Sequence, residues 1–543
     1  MKNKIKKVTL FIAAGIIATG INSCTDLDEK IYSELDKNNF YNNKVEVMQS
    51  ALRSFTHLAA WIAPTGWSAY FYHSELSSDQ LAWPQKGRHG YDGGDHFRQH
   101  YHTWTDNESR MRTAWSLMWT GVGYINSSIA DLSGINYASL DISDSEMETI
   151  LAELYVLRAF HYMKIMELWG NVPIVTTVGE PLNPPTQSRD EVFAFIEKEL
   201  ETYVPKLLPY SQEIVGRVSQ TAGYAMMAEL YLNAEYFVGT PMWDKCIAAC
   251  DKIISGEAGG LHNGKAELAD DLLDTFDNTN KDAKEALFQL AYSQKGGFAF
   301  NWSGFFCGFS NTGPILNVTY DGWNGFVVIP SAFDAYAEND LRKKEWFLFG
   351  PQFKYGTDEP VYGVEEFTGQ QLVYVNSIRR ESQGDFTSEG GMDQGEENSG
   401  ARFNKYKSGT VNDPNYWENH YILYRLTEIY FFKAEALMRK NGGKASQEAV
   451  DLVNASRKRA FTSEDWEANQ YTTTTLTLDE LLAERGREFI FEGKRRTDLI
   501  RFGKYTTASW WDHKPSNDKT KELYPIPFQQ IETNPNLIQN PGY

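Results

Sequence analysis

The feature that most constrains the fold is a repeated pattern of paired helices. The stretch SEMETILAELYVLRAFHYMKIMELW (145–169) carries apolar residues three and four apart, and "GNVP" ends it. The same pattern predicts a pair of helices at 219–237 and 242–254, a second pair at 421–440 and 446–460, and single helices at 188–204 and 478–492. Small residues at the crossing positions are typical of tetratricopeptide-like hairpins. The predicted fold class is therefore mainly α, a tetratricopeptide-like hairpin scaffold.

Between residues 256 and 420 the helical pattern is sparse. This region contains irregular chain and short strand-like runs such as ALFQLAY, FVVIP and QLVYV. A stretch this long without regular structure is unusual in a compact domain unless it has a function. We therefore predict one domain over 24–543, with a loop-rich binding region inserted at about 256–420. The acidic, glycine-rich stretch 381–400 could hold calcium, but its carboxylates lack the spacing of a calcium loop, so we predict no metal. We also predict no cofactor.

The amino terminus has the organisation of a signal peptide. A basic head, MKNKIKK, precedes an apolar stretch at 8–21 that is too short to span a membrane comfortably. Asn22, Ser23 and Cys24 follow, in a setting that resembles the lipobox of bacterial lipoproteins. We predict a signal peptide at 1–23 and lipidation of Cys24, which would anchor the chain in a membrane. The alternative is a secreted protein in which this cysteine is incidental.

The net charge and the remaining cysteines further limit the class of protein. The net charge is −20, and removing residues 1–23 with their four lysines makes it −24. Nucleic acid is excluded as a partner because its binding depends on neutralising phosphates. Cys246 and Cys250 lie four apart in a helical pattern, farther apart than a disulfide allows, and are predicted to be buried thiols.

Three segments resemble one known family. They are AELYVLRAFHYMKIMELWGNVPI (152–174), ERGREFIFEGKRRTDLIRFGKY (484–505) and YPIPFQQIETNPNLIQNPGY (524–543). Together they resemble the SusD/RagB-like outer-membrane lipoproteins of Bacteroidota. The resemblance implies a non-enzymatic, cell-surface protein, lipid-anchored and facing the exterior. Such a protein binds oligosaccharide or polysaccharide and delivers it to a SusC-like TonB-dependent transporter.

The signature segments are dense in opposed charges, which we predict to form ion pairs that pin helices and loops together. These residues are Arg158, Arg487, Glu488, Glu492, Arg495, Arg496, Asp498 and Arg501. The alternative is a catalytic carboxylate pair formed by Glu488 and Glu492, one helical turn apart.

Neutral sugars bind to flat aromatic faces and planar polar side chains, usually on exposed loops. The segment 77–104 offers Trp83, which matches an aromatic position of the family, and Tyr91. A common family variant has tryptophan where this chain has Gly90, and aspartate where it has His89. Tyr91 is predicted to replace the missing aromatic surface.

The second predicted binding segment is 301–330. Trp323, in "DGWNG", matches another aromatic position of the family. Further candidates in this segment are the aromatic residues Trp302, Phe306 and Tyr320. The predicted hydrogen-bonding neighbours are Asp79, Gln85, Asn324 and Arg342.

Two other classes of function stay open. A surface glycoside hydrolase needs two carboxylates in a cleft, and Asp79 and Asp92 are the acids nearest the predicted aromatic surface. A helical scaffold that binds only proteins would need no exposed aromatic surface at all.

The tryptophans at 104, 115 and 119 belong to a predicted helix or its edge and are expected in the core. The histidines at 89, 96, 100 and 102 fit a polar loop better than a metal site.

Overall fold

The computed structural model describes residues 41–63, 69–179, 182–293, 311–318, 321–407 and 418–543. Cys24, Trp302, Phe306 and Tyr320 lie outside these residues. The α-helices are α1 Lys44–Thr56, α2 Tyr70–Leu76, α3 Asp95–His100, α4 Ser109–Leu132, α5 Asp144–Trp169, α6 Arg189–Tyr203, α7 Gln220–Leu232, α8 Ala234–Val238, α9 Trp243–Ile254, α10 Thr312–Leu316, α11 Pro330–Asp334, α12 Leu341–Glu345, α13 Leu426–Lys440, α14 Gln447–Arg457, α15 Trp466–Asn469, α16 Leu478–Phe489, α17 Arg495–Arg501 and α18 Phe528–Thr533. The strands are β1 Leu81–Ala82, β2 Ala286–Leu290, β3 Val327–Val328, β4 Phe347–Leu348, β5 Gly350–Pro351, β6 Val373–Tyr374, β7 Arg402–Phe403 and β8 Tyr421–Arg425.

The long helices pack in successive pairs. Helix α5 packs against both α4 and α6, α9 packs against both α7 and α13, and α13 packs against α14. The helices α5 and α6 each begin with a capping box, formed by Ser143 with Glu146 and by Ser188 with Glu191. The prediction of a mainly α, tetratricopeptide-like scaffold is confirmed.

One predicted helix begins later than its pattern indicated. Residues Tyr421–Arg425, predicted as the start of a helix, form β8, and α13 begins at Leu426. Strand β8 pairs antiparallel with β2, with Tyr421 opposite Leu290. All five residues of each strand are buried. A short run buried on both faces has no alternation, so periodicity cannot separate it from a buried helix.

Paired strands bring the two predicted binding segments together. Strand β1 pairs antiparallel with β3, and Leu81 lies opposite Val328. Strand β1 continues into the loop at 83–91, and the loop at 321–326 leads into β3. The two loops therefore start from one anchored point, although more than 200 residues separate them in sequence.

The core joins the helical scaffold to the irregular region. One cluster of buried apolar side chains includes Val47 near the amino end of the described chain and Leu537 near its carboxyl end. Trp104 and Trp115 are buried in it, as predicted, whereas Trp119 is only half-buried. Cys246 and Cys250 are buried free thiols, also as predicted.

Candidate functional site

Trp323 presents the larger aromatic surface of the two loops. Its side chain is 55% exposed, whereas other residues of the 321–326 loop contact the protein interior. The carbonyl of Gly325 accepts a hydrogen bond from Lys86 Nζ at 2.8 Å. The Phe326 ring is buried and lies 5.9 Å from the Phe71 ring centroid, edge to face. An exposed indole on a fixed loop is preorganised for stacking, because little loop entropy is lost on binding.

The expectation that Trp83 displays an outward face is wrong. The indole is 3% exposed and stacks on the His96 ring, with centroids 4.3 Å apart and planes 4° apart. Its other neighbour is Phe326, whose ring centroid lies 4.9 Å away. Trp83 directly follows β1, and the pairing of β1 with β3 orients its side chain toward the core. Trp83 therefore supports the loop that carries Trp323 from within the core.

Tyr91 is the exposed aromatic residue of the first loop. Its side chain is 55% exposed and contacts the Phe97 ring edge to face, with centroids 5.9 Å apart. The preceding Gly90 has φ of +81°, and a Cβ there would lie 2.8 Å from the Pro84 carbonyl oxygen. It would also lie 3.0 Å from the Trp83 ring. Tryptophan at this position, as in the family variant, does not fit, so Tyr91 supplies the aromatic surface. We call Trp323 and Tyr91 the aromatic face.

Two predicted hydrogen-bonding residues have structural roles instead. Arg342 is fully buried, and its guanidinium pairs with Asp340 at 2.8 Å and with Glu484 and Glu488 at 2.9 Å each. Asn324 is also buried, has a φ of +50°, and accepts hydrogen bonds from Arg402 at 3.5 Å. The predictions that these side chains reach a sugar are wrong, because neither is accessible to one. Asn324 shapes the turn that follows Trp323.

Asp79 and Gln85 remain partly accessible. Arg495 donates to both oxygens of Asp79, at 2.6 and 2.8 Å, so this carboxylate is already paired. The pair borders a cavity of about 230 Å³ that Trp510 also lines. The Gln85 amide donates to the Gly87 carbonyl at 3.0 Å and is half-buried within the first loop. Of the four predicted polar neighbours, Gln85 is the one that is neither fully buried nor ion-paired.

The sequence patterns did not predict the exposed apolar ribbon at residues 350–374. Tyr362 and Phe353 are 53% and 43% exposed, whereas Val361 and Leu372 face inward. The ribbon is tied to the first loop through Glu365, whose carboxylate lies 3.2 Å from Arg88 Nη2. The available signal was the alternation of outward and inward residues along the segment. The ion pair of Arg88 with Glu365 places the ribbon beside the loop that carries Tyr91.

The buried Lys86 side chain joins the two loops and gives a first prediction. Burial lowers the pKa of Lys86 well below its usual value, and Nζ donates to the Pro84 and Gly325 carbonyls at 3.3 and 2.8 Å. In Lys86→Met the Gly325 carbonyl loses its partner, so we expect the free energy of unfolding to fall by about 1–3 kcal/mol. Hydrogen exchange at 321–326 should accelerate. Arg88→Met, whose side chain is exposed, should change stability by less than about 0.5 kcal/mol. Equal effects of the two variants would contradict the assigned role.

Seven of the eight signature charges form ion pairs, as predicted, and those around Glu488 and Glu492 form a buried network. The exception is the buried Arg496, which pairs with no carboxylate among the described residues and donates to the Glu522 carbonyl at 2.7 Å. Glu488 lies within 2.9 Å of both Arg342 and Arg425, and Glu492 lies 2.6 Å from Lys405. Burial alone would raise the pKa of Glu492, but Arg425 and Lys405 outweigh it and hold that pKa at about 2. The two carboxylates are ion-paired in the interior, so the alternative of a catalytic pair is not supported. The network fixes α12, α16 and β8 to one another.

The predicted histidine loop is largely buried. His96 and His100 lie in α3, and His100 and His102 each lie within 6 Å, ring centroid to centroid, of His513. In the described ranges no cluster of three or more histidine, cysteine, aspartate or glutamate side chains could hold a metal ion. These rings serve as polar members of the core.

Their burial predicts a pH-dependent stability. Burial lowers the pKa of His96 and His513 to about 4 and of His100 to about 3. In the unfolded chain histidine titrates near 6.5, so below that pH the unfolded state binds protons that the folded state does not. Stability should be insensitive to these groups above about pH 7 and fall by about 1 kcal/mol per histidine per pH unit below 6.5.

The measurement is urea unfolding at pH 7, 6 and 5. Carboxyl groups whose pKa is raised by burial oppose this trend; they include Glu75, whose pKa rises to about 8, and Glu428. Replacing His100 by Asn should reduce the slope of stability against pH. A free energy of unfolding that is equal at pH 7 and pH 5 would contradict the assignment of these rings as neutral core members.

The molecule is thus a helical-hairpin scaffold that carries an irregular region with an outward aromatic face. The family model described as "Starch-binding associating with outer membrane" matches residues 26–232, and that of the SusD family matches residues 284–543. The chain belongs to the SusD/RagB-like family, as its motifs predicted.

Individual relatives agree with this assignment. The starch-binding protein SusD of Bacteroides thetaiotaomicron is 28% identical over 80% of this chain and 79% of its own length. A solved laminarin-binding SusD-like protein is similar in fold, with a TM-score of 0.69 and 20% identity, over 93% of this chain and 100% of its own. A surface glycan-binding protein A from B. thetaiotaomicron in complex with laminarihexaose has a TM-score of 0.67 and 19% identity, over 92% and 99% of the two chains. None of the described helices combines the length and apolar character needed to cross a bilayer.

Proposed function

We propose that this protein captures a neutral oligosaccharide or polysaccharide at the cell surface. The observation that carries the proposal is the aromatic face: two aromatic side chains, each 55% exposed, on loops fixed by buried contacts. Indole and phenol rings match the apolar faces of sugar rings, and the Gln85 amide is a planar partner for hydroxyl groups. The starch-binding relative and the laminarihexaose-bound structural neighbour support glycan as the ligand class.

The net charge favours a neutral ligand over an anionic one. A chain with a charge of −20 attracts polyanionic glycans poorly at low ionic strength. Starch-like α-glucan, laminarin-like β-glucan and neutral plant polysaccharides remain the candidate ligands. Trp302 and Phe306 stay candidates for additional aromatic contacts.

The anchoring and delivery steps complete the proposal. Lipidated Cys24 would hold the protein in the outer membrane, facing the exterior. From there it would pass the bound glycan to a SusC-like TonB-dependent transporter. The outer-membrane association in the family description supports this location. The organisation over 24–543 is that of one domain with the binding region inserted.

We propose no catalytic activity for the face. A glycoside hydrolase needs a carboxylic acid whose pKa is raised, so that it can protonate the leaving group. At Asp92 a hydrogen bond from His96 and the nearby Arg110 lower the pKa instead. Asp79 is occupied by Arg495. Incubating the protein with polysaccharides should therefore release no new reducing ends.

Affinity electrophoresis tests the proposal. Soluble starch, laminarin, xyloglucan and inulin would be cast separately into native gels, with a non-binding protein as the mobility standard. We expect at least one neutral polysaccharide to retard the protein. Unchanged mobility in every gel would overturn the proposal, and sustained release of reducing ends would replace it with the hydrolase.

A further inference from the structure

The helical scaffold contains a cavity that shares no residue with the aromatic face. Its volume is about 550 Å³, within the usual range for small-molecule sites. Three parts of the chain line it: α4, the connector after α5 at residues 173–175 and 182–184, and the carboxyl-terminal residues 530–537. Among the described residues no charged side chain lines the cavity, so neither a catalytic carboxylate nor an ion pair accounts for it.

The lining has the composition that neutral, hydroxyl-bearing ligands require. Trp119 contributes a half-buried indole to the wall of the cavity. Asn183 and Gln530 contribute side-chain amides to the same cavity. Leu182, at 97% exposure, adds an apolar edge. An aromatic wall beside side-chain amides suits a sugar ring, which presents an apolar face to the indole and hydroxyl groups to the amides.

The walls of the cavity are tied together. Asn534 Nδ2 donates to the Pro184 carbonyl at 2.9 Å, and Asn536 Nδ2 donates to the Asn183 carbonyl at 2.7 Å. The amide of Ile538 donates to the Thr186 hydroxyl at 3.0 Å. These bonds join the connector to the carboxyl-terminal segment, so the cavity is formed before any ligand enters it. A preformed site loses less entropy on binding.

We infer that this cavity is a second glycan subsite, which binds a short stretch of neutral sugar. The ligand class rests on the proposed function, and the location rests on the cavity itself. Two subsites on one molecule would hold a long chain more tightly than either holds a short one, because the second contact becomes intramolecular. The scaffold would then take part in glycan capture as well as displaying the loops.

The test uses maltoheptaose and laminarihexaose as probes, with the full-length protein. Isothermal titration and native mass spectrometry should give two oligosaccharides bound per wild-type molecule. Trp323→Ala should retain one, and Trp323→Ala combined with Trp119→Ala should retain none. Bound sugar should slow hydrogen exchange in residues 182–187 and 528–538 of the Trp323→Ala variant.

A matched pair of glutamines controls for folding. Gln530→Ala removes an amide from the cavity and should weaken the remaining site of Trp323→Ala by about 3- to 10-fold, the effect of one hydrogen bond. Gln529→Ala changes the neighbouring residue, whose Nε2 donates to Asn107 at 3.2 Å outside the cavity, and should leave affinity unchanged.

The outcomes separate this inference from the proposed function. One sugar per wild-type molecule, with no binding to Trp323→Ala, would overturn the second subsite and leave the aromatic face intact. Protection of 182–187 by a purified transporter but never by sugar would also overturn it, assigning the cavity to protein docking. Absence of any binding to wild type, with these probes and the polysaccharides above, would overturn both.

Discussion

Trp323→Ala is expected to weaken binding of the retained polysaccharide by at least about 30-fold. Exposed aromatic residues at the centre of a binding surface commonly contribute about 2 kcal/mol or more, and 1.4 kcal/mol is a factor of ten in affinity. The indole is 55% exposed, so its removal leaves no cavity in the core. The loss should therefore appear in affinity and not in stability. Isothermal titration with the polysaccharide that retards the wild type measures it.

Two controls make this result specific. Trp466→Ala removes a partly buried indole from α15, away from both loops in sequence, and should leave affinity within about twofold of wild type. Thermal unfolding of Trp323→Ala should match that of the wild type to within a few degrees. An affinity loss below threefold in Trp323→Ala would show that the indole is not a principal contact.

Glu488→Gln is expected to lower the free energy of unfolding by about 3–5 kcal/mol. Breaking a buried ion pair leaves a charge without compensation, and this costs far more than breaking an exposed pair. Glu488 is buried and lies within 2.9 Å of Arg342 and Arg425, with Arg459 at 3.4 Å. In Glu488→Gln these guanidinium groups lose one compensating negative charge.

Urea unfolding measures the effect, and Glu480→Gln is the matched control. Glu480 lies on the same helix, α16, and pairs with Arg487 at 2.6 Å, but its side chain is 39% exposed. The control should cost less than about 1 kcal/mol. Similar losses in the two variants would show that the buried network does not stabilise the fold in the way described.

The scaffold and its charges were predictable because their signals are local. Helix α5 begins one residue before the predicted start and ends at the predicted Trp169. Most of the opposed charges of 484–505 are satisfied by ion pairs, so their structural role was predictable from the composition of the segment. The exception, Arg496, donates to the backbone carbonyl of Glu522, which lies outside the segment. The exposed positions of Tyr91 and Trp323 agree with what glycine-rich loops predict.

The supporting side chains could not be predicted because their environments come from distant parts of the chain. Trp83 is buried by the pairing of β1 with β3, and Arg342 by carboxylates of α16. Neither partner is visible from the local sequence. The exposed ribbon was missed because its alternation is interrupted by turns. Glycine-rich loops in the sequence indicate that a binding surface exists, whereas long-range packing determines which aromatic residues are exposed.

The most direct test is the structure of the protein bound to an oligosaccharide of the retained polysaccharide. We expect a sugar ring stacked against the outer face of the Trp323 indole, with Tyr91 contacting a neighbouring sugar of the same oligosaccharide. A bound oligosaccharide that contacts neither residue, with both loops unaltered and empty, would contradict it.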